Sequence, residues 1–355
     1  MGPKVRQFEE EFAEFHNVKY AVMTNSGSSA NLLAMSVIPQ LPNMAKTGNI
    51  IVPAVSWSTT FFPVNQAGYQ LKFVDVNLTD FNIKVGDVIA AIDDETVAVF
   101  AVNLLGAPAE LTTLKMVCES RGIMLIEDNC ESFGASIDGK LTGTFGVMGT
   151  FSFFFSHHLQ TMEGGMVITD DERIYQYLLS MRAHGWIRDL PPENCLFDKT
   201  GDPFEDSFRF VLPGYCVRPL EMSGAVGSVQ LSKWQKMKEQ RITNALTIHH
   251  QFIDLRNFRL QHSVYDSSHF GFGIRVINGT RKPVIERLRQ EGIETRPIVA
   301  GNFLRNPVIS RLNYTAPESL PHADHLHDCG FFVGNDDRKL TSAIIKLTNI
   351  LKEFE

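Results

Sequence analysis

Ile123-Met124-Leu125-Ile126-Glu127-Asp128-Asn129 is an apolar run of strand length that stops on two carboxylates. Four apolar residues in a row leave no polar face, the pattern of a strand covered on both sides. Ile50-Ile51-Val52, Leu71-Lys72-Phe73-Val74-Asp75-Val76 and Val97-Ala98-Val99-Phe100-Ala101-Val102 read the same way. Helical stretches lie between them at Ala30–Ile38, Thr59–Ala67 and Leu111–Glu119. This alternation predicts an α/β fold, a mainly parallel sheet with helices on both faces. Phe151–Phe155 and Met166–Thr169 are expected to add two strands. Ligands bind beyond the carboxyl ends of strands in such a sheet. Asp128 therefore stands where a carboxylate can hold a protonated heterocyclic nitrogen or a metal, or merely cap the next helix.

Further along, Asp171 to about His184 and Pro219 to about Gln240 read as helices. Between them Trp186–Pro213 is irregular and long for a loop, which marks it as functional. From Phe258 onward the pattern turns to shorter strands (Phe270–Val276, Ile293–Ile298) and helices (Lys282–Gln290, Leu340–Glu353). A larger α/β domain over 1–240 and a smaller α+β domain over 241–355 are expected. The composition, 44% hydrophobic and 21% charged over 355 residues, is that of a globular protein. No apolar run nears the roughly 18 residues of a spanning helix, and Met1–Phe12 lacks the apolar core of a signal peptide. Five scattered cysteines without a C-x-x-C pair disfavour a disulfide framework or zinc ribbon and fit a reducing cytoplasm. With 33 Lys+Arg against 40 Asp+Glu, the net charge of -7 argues against a nucleic-acid partner. Any anionic ligand must meet a local positive potential.

Two further stretches carry chemistry. Thr24-Asn25-Ser26-Gly27-Ser28-Ser29-Ala30-Asn31 is a hydroxyl-rich loop opening a helix, suited to a phosphate or to plain N-capping. Phe151 to Val167 runs from an apolar strand through Ser156-His157-His158 to Glu163-Gly164-Gly165, where two glycines let backbone approach a ligand. Adjacent histidines on extended chain point apart, so one acid/base histidine suits the pattern better than a metal pair. A purely structural histidine is the plainer alternative. His322-x-x-His325-x-His327-Asp328 has metal-like spacing, yet an ordinary helix is expected there and no metal.

In combination and in order, these pieces resemble the sugar aminotransferase family of the aspartate-aminotransferase fold (type I), which acts on nucleotide-linked keto sugars. The resemblance includes Pro53-Ala54-Val55-Ser56-Trp57-Ser58-Thr59-Thr60, Gly214-Tyr215-Cys216-Val217-Arg218-Pro219-Leu220-Glu221-Met222 and Arg296-Pro297-Ile298-Val299, and so spans essentially the whole chain. It implies pyridoxal 5′-phosphate or pyridoxamine 5′-phosphate as cofactor and a homodimer. It also implies roles for single residues: Gly27, Ser28, Ser29 and Ser152 on the phosphate, Trp57 stacked on the ring, and Asp128 on the pyridinium nitrogen. Glu131 is expected either to orient the ring substituents or to lie at the surface. His184 is expected either to contact substrate or to be structural, and Arg188 either to meet the nucleotide pyrophosphate or to form a surface ion pair.

One position departs from the aminotransferases. Their cofactor-linking lysine falls six residues before the E-G-G glutamate, where this chain has His157, and no lysine occurs between Lys140 and Lys199. An imidazole cannot tether the cofactor. The substitution resembles the dehydratase branch of the family, and Arg182-Ala183-His184-Gly185-Trp186 and Phe210-Val211-Leu212-Pro213-Gly214-Tyr215 agree with it. That likeness implies a 3-dehydratase acting on a GDP-4-keto-6-deoxy hexose. L-Glutamate would aminate the cofactor and leave as 2-oxoglutarate, the cofactor amine would take up the sugar ketone, and His157 would move the C4′ proton as the C3 hydroxyl departs. A related branch also holds an iron–sulfur cluster on closely spaced cysteines; the isolated Cys195 and Cys216 do not fit one. A nucleotide-sugar aminotransferase and a catalytically silent cofactor- or sugar-binding regulatory protein are the alternative readings, and two departures favour the second. Cys216 replaces an asparagine that reaches the cofactor phosphate from the neighbouring subunit. Relatives also carry a short segment before Gly2-Pro3-Lys4-Val5, so substrate contacts made there are expected to be missing or supplied otherwise.

Overall fold

The β-branched runs become the centre of an eight-stranded sheet in the computed structural model, which describes residues 1–355. The strand order is Tyr20–Thr24, Gly165–Thr169, Met148–Ser152, Met124–Asp128, Thr96–Val102, Asn49–Pro53, Gln70–Val74 and Tyr314–Thr315. Only Gly165–Thr169 runs against its two neighbours; every other adjacent pair is parallel. Strand Thr96–Val102 shows why the runs lack alternation. Ala98, Phe100 and Val102 enter one core with Ala30, Leu33 and Phe61, whereas Val99 and Ala101 enter another with Val88, Leu111 and Leu114. Both faces are dry, so both must be apolar.

Parallel strands bring their carboxyl ends to one edge. Thr24, Pro53, Val102, Asp128 and Ser152 all end there, each followed by a loop that can reach a common ligand. The sheet thus assembles chemistry from five separate stretches of sequence.

Several elements were not expected from the sequence, among them the first helix and the first strand. Helix Pro3–His16 buries Val5, Phe8 and Phe12, and strand Tyr20–Thr24 forms the sheet edge. Phe12 sits among Phe133, Phe151 and Phe153, ring centroids 5.6, 5.1 and 5.5 Å away. Helix Pro3–His16 lies along a 32-residue helix, Glu221–Phe252, whose Gly227 admits the Phe8 ring; a Cβ there would stand 2.5 Å from it. That long helix extends well past Gln240. Trp234 and Met237 pack into the aromatic cluster, and Ala245, Ile248 and Phe252 pack into a second core. The second core lies under a four-stranded antiparallel sheet, ordered Phe258–Leu260, Gly271–Val276, Gly330–Gly334, Arg296–Pro297.

Boundaries shift in two places that matter below. The expected strand Phe151–Phe155 is Met148–Ser152, so the run from Phe153 lies beyond the sheet edge. The helix expected to reach His184 ends at Arg182, and His184 takes a left-handed backbone (φ +65°) in the turn that follows. No helix is long and apolar enough to cross a membrane.

Candidate active site

Loops at the carboxyl edge enclose a cavity of about 770 Å³. Gly27, Ser28, Ser29, Trp57, Asp128, Glu131, Ser152 and His157 all line it, although they come from the ends of four different strands. His184 and Arg188 do not. They stand on either side of Trp186, the His184 ring 4.8 Å from the indole and the Arg188 guanidinium 4.0 Å above it.

One wall gathers a helix N-terminus and three serine hydroxyls. Ser26 caps helix Gly27–Val37, its Oγ accepting from the Ser29 amide at 3.1 Å. The amides of Gly27 and Ser28, first in the helix, have no acceptor within it, and they face the cavity beside the Ser28, Ser29 and Ser152 hydroxyls. Helix N-termini favour anions for this reason. Gly27 is required by contact: a Cβ would lie 2.4 Å from Ser152 Cβ. The E-G-G turn serves the same loop. A Cβ on Gly165 would lie 2.2 Å from the Ser26 carbonyl oxygen, so this glycine brings backbone against the cradle rather than against a ligand. Gly27→Ala is expected to force the cradle open by a few tenths of an ångström and cost roughly 1–3 kcal/mol of stability. Equilibrium binding of pyridoxamine phosphate should weaken with it; a variant with unchanged affinity and melting temperature would remove the cradle.

Asp128 is held as a fixed acceptor. Its Oδ2 accepts from Asn31 Nδ2 (2.9 Å) and Thr60 Oγ1 (2.8 Å), and its Oδ1 from the Cys130 amide (3.1 Å). Sequence reading passed over Asn31 and Thr60, although Asn31 lies one turn after Gly27 and so shares its face. The neighbouring Glu127 is fully buried and spends its carboxylate on the Gly143, Phe145 and Gly146 amides, tying down the loop beneath the sheet edge. Glu131 accepts from the Leu105 amide at 3.0 Å. Burial pushes its carboxyl up to about 7, opposed by that amide and aided by the Asp128 charge. It therefore lies in the cavity wall, not at the surface. Trp57 leads into helix Ser58–Gln66 and leaves 58% of its area open, a large aromatic face turned to the cavity without a protein partner.

The two histidines diverge, although they lie in a turn beyond the strand end rather than on the extended chain expected. His157 reaches the cavity and lies against Phe270, ring centroids 5.2 Å apart, with a buried, unpartnered Nδ1. His158 turns inward, its Nε2 3.1 Å from the Ser268 carbonyl oxygen and its ring on Trp234. Burial pulls His157 down to about 4, only partly offset by the Phe154 carbonyl. Asp128, Cys130, Glu131, Glu163 and Arg296 share the cavity with it, and His158 stands behind. A depressed value leaves the imidazole neutral, hence basic, throughout the neutral range. The acid limb of kcat/KM assigned to His157 should accordingly lie near pH 4 to 5 rather than near the ordinary value of about 6.5. A limb at pH 6.5 that disappears in His157→Asn would contradict this.

No lysine lines the cavity; its one cationic side chain is Arg296, paired with Glu294 through two hydrogen bonds of 3.1 and 2.9 Å. Elsewhere, no group of three or more His, Cys, Asp or Glu is arranged to hold a metal ion. His322 Nδ1 lies 2.7 Å from the Val76 carbonyl oxygen, on helix Pro321–Cys329. All five cysteines are free.

The model of the DegT/DnrJ/EryC1/StrS aminotransferase family matches residues 1–334. The chain belongs to this family. Within it, the chain is 46% identical over 360 residues to GDP-4-keto-6-deoxy-D-mannose 3-dehydratase of Yersinia pseudotuberculosis, covering 99% of this chain and 92% of the relative. The solved structure of the Escherichia coli GDP-4-keto-6-deoxy-D-mannose-3-dehydratase with bound hydrated PLP superposes with a TM-score of 0.96 at 46% identity, covering 99% of this chain and 92% of that one. A structure of the same activity with a trapped PLP-glutamate geminal diamine gives the same TM-score and identity, covering 99% and 93%. The α/β architecture and the aminotransferase fold expected from the sequence are thus established.

Proposed function

We propose that this chain is a pyridoxal/pyridoxamine-phosphate-dependent nucleotide-sugar 3-dehydratase. It removes the C3 hydroxyl of a GDP-4-keto-6-deoxy hexose, with L-glutamate as amino donor and 2-oxoglutarate as by-product. The observation that carries the reading is a cavity fitted for the cofactor on every side yet lacking a lysine, with a neutral imidazole in its wall instead. The names and bound ligands of the 46%-identical relatives support it.

The residues fit the cofactor: the Gly27, Ser28, Ser29 and Ser152 cradle for its phosphate, the open Trp57 face for its ring, and the fixed Asp128 acceptor for its ring nitrogen. When bound, pyridoxamine phosphate supplies an amine for the sugar ketone and a ring that draws off electrons. The protein does the rest. Asp128, an acceptor fixed by three donors, would pair with a protonated ring nitrogen. Glu131, carrying a proton for much of its time near neutrality, can donate a hydrogen bond into the cavity. Neutral His157 takes the C4′ proton and returns one to the departing hydroxyl, a transfer suited to an untethered base. Arg296 offers the cavity a single positive charge for a carboxylate of glutamate. His184 and Arg188, outside the cavity, belong to the nucleotide end of the substrate in this reading.

A homodimer is part of the proposal. Trp57, Phe155, Met162, Leu220 and Met222 are large apolar side chains left exposed, more than an isolated monomer of this kind is expected to show together. The division near residue 240 and a cytoplasmic setting complete it, supported by two cores sharing one helix and by five free thiols. The decisive test incubates the protein with cofactor, glutamate and a panel of nucleotide 4-keto sugars and identifies products by mass. Loss of the C3 oxygen with release of ammonia is expected; an amino sugar as product would establish an aminotransferase, and no turnover with any sugar a silent binder.

A further inference from the structure

Arg241, on the long helix, is 4% exposed and forms no ion pair. Its Nη1 donates instead to three carbonyl oxygens, those of Asn335 (2.8 Å), His269 (3.2 Å) and Phe270 (3.4 Å), while Nε has no partner. Taking a guanidinium out of water costs several kcal/mol, and neutral acceptors return only part of it. Burial accordingly drags this arginine down to about 10, moderated by the more distant Asp336 and Asp337. A position that only filled space would be better served by methionine.

The three carbonyls belong to two segments that border the cavity. His269 adopts a left-handed backbone, φ +49°, which is strained for a residue with a Cβ. Its carbonyl is held twice, by Arg241 and by Asn335 Nδ2 at 2.9 Å. The next residue is Phe270, whose ring lies 5.2 Å from the ring of His157 and 5.4 Å from that of His158. His158 fastens the same segment from the other side through the Ser268 carbonyl. A buried cation and a strained residue thus converge on the segment that covers one face of His157.

We propose that Arg241 is a positioning residue, clamping the His269 and Phe270 carbonyls so that the Phe270 ring is held against His157 and keeps that imidazole dry. The inference rests on the assignment of His157 as the base. Asp128, Cys130, Glu131, Glu163 and Arg296 face His157 across the cavity and His158 from behind; none is altered by the variants below.

The test uses full-length protein labelled with ring-13C histidine, the His157 resonance being assigned by its loss in His157→Asn. In Arg241→Met the His157 pKa should rise by about one unit or more as water reaches the ring. Single-turnover dehydration by the pyridoxamine-phosphate-loaded variant should fall about tenfold, while pyridoxamine phosphate affinity changes little. Arg241→Lys, a point charge without the fork, should give a smaller shift in the same direction. A folded Arg241→Met whose His157 pKa does not move overturns the proposal, even if its melting temperature drops, since that drop alone marks a structural role. Should Arg241→Met not fold, Asn335→Ala removes the other donor to the His269 carbonyl; an upward shift there supports the clamp and an unmoved pKa overturns it. Wild-type dehydration by His157→Asn would refute the base assignment, which leaves the pKa measurement to judge the clamp by itself.

Discussion

His157→Lys is expected to abolish dehydration and to convert a freely exchanging cofactor into a covalently held one. The new side chain would enter the same wall, between Phe270 and the cofactor cavity. Desolvation there disfavours the ammonium form, so the amine becomes a nucleophile towards the cofactor aldehyde. A tethering amine competes with the sugar for the same carbon, and the untethered base is lost. Removal of a positioned base alone slows a reaction roughly 10²- to 10⁴-fold. Borohydride treatment followed by intact mass should add one cofactor to the variant and none to the parent chain. Production of the 3-deoxy sugar should fall below detection in the same preparation. A variant that still dehydrates at the parent rate would show that His157 is not the base.

Asp128→Asn is expected to be nearly as damaging, through a different half of the chemistry. The carboxylate is met by the Asn31 amide and the Thr60 hydroxyl on one oxygen and by the Cys130 amide on the other. An asparagine must set its NH₂ against one of these donors or turn it towards the cavity. In either orientation the anionic acceptor for the cofactor ring nitrogen is gone, and the ring gives up its proton and its pull on electrons. The glutamate half-reaction, followed by the change in cofactor absorbance in stopped flow, should slow by roughly 10²- to 10³-fold, the loss typical of one preorganised electrostatic contact. Thr60→Val, which keeps the charge and removes one donor, should lose less. A near-normal half-reaction in Asp128→Asn would strip Asp128 of its role.

Much of this was legible in the sequence because the informative signals were local. Strands buried on both faces announce themselves as unbroken runs, and Ile123–Ile126 ending on Asp128 located the functional edge. The S-G-S-S loop and the histidine in place of lysine are equally local. Helix Pro3–His16 was missed because its four glutamates, Lys4 and Arg6 obscure the spacing of Val5, Phe8 and Phe12, and only the partner helix reveals which face is dry. The strand was carried three residues too far, into Phe153–Phe155, and Phe153 is apolar for another reason: it fills the cluster under the sheet edge. Asn31, Thr60 and Arg296 carried no signal of their own. Their meaning is their distance to groups about 30 to 240 residues away, which no spacing encodes. His184 and Arg188 were grouped with the site by resemblance, whereas the chain folds them around Trp186.

The helix Glu221–Phe252 gives the molecule a mechanical character. At 32 residues it spans about 48 Å as a single rod, its Gly227 and Trp234 seated against Phe8 and Phe133 and its other end under the small sheet. Such a rod transmits tilt but resists stretch and shear. The two cores are therefore joined by one continuous helix rather than by a flexible linker.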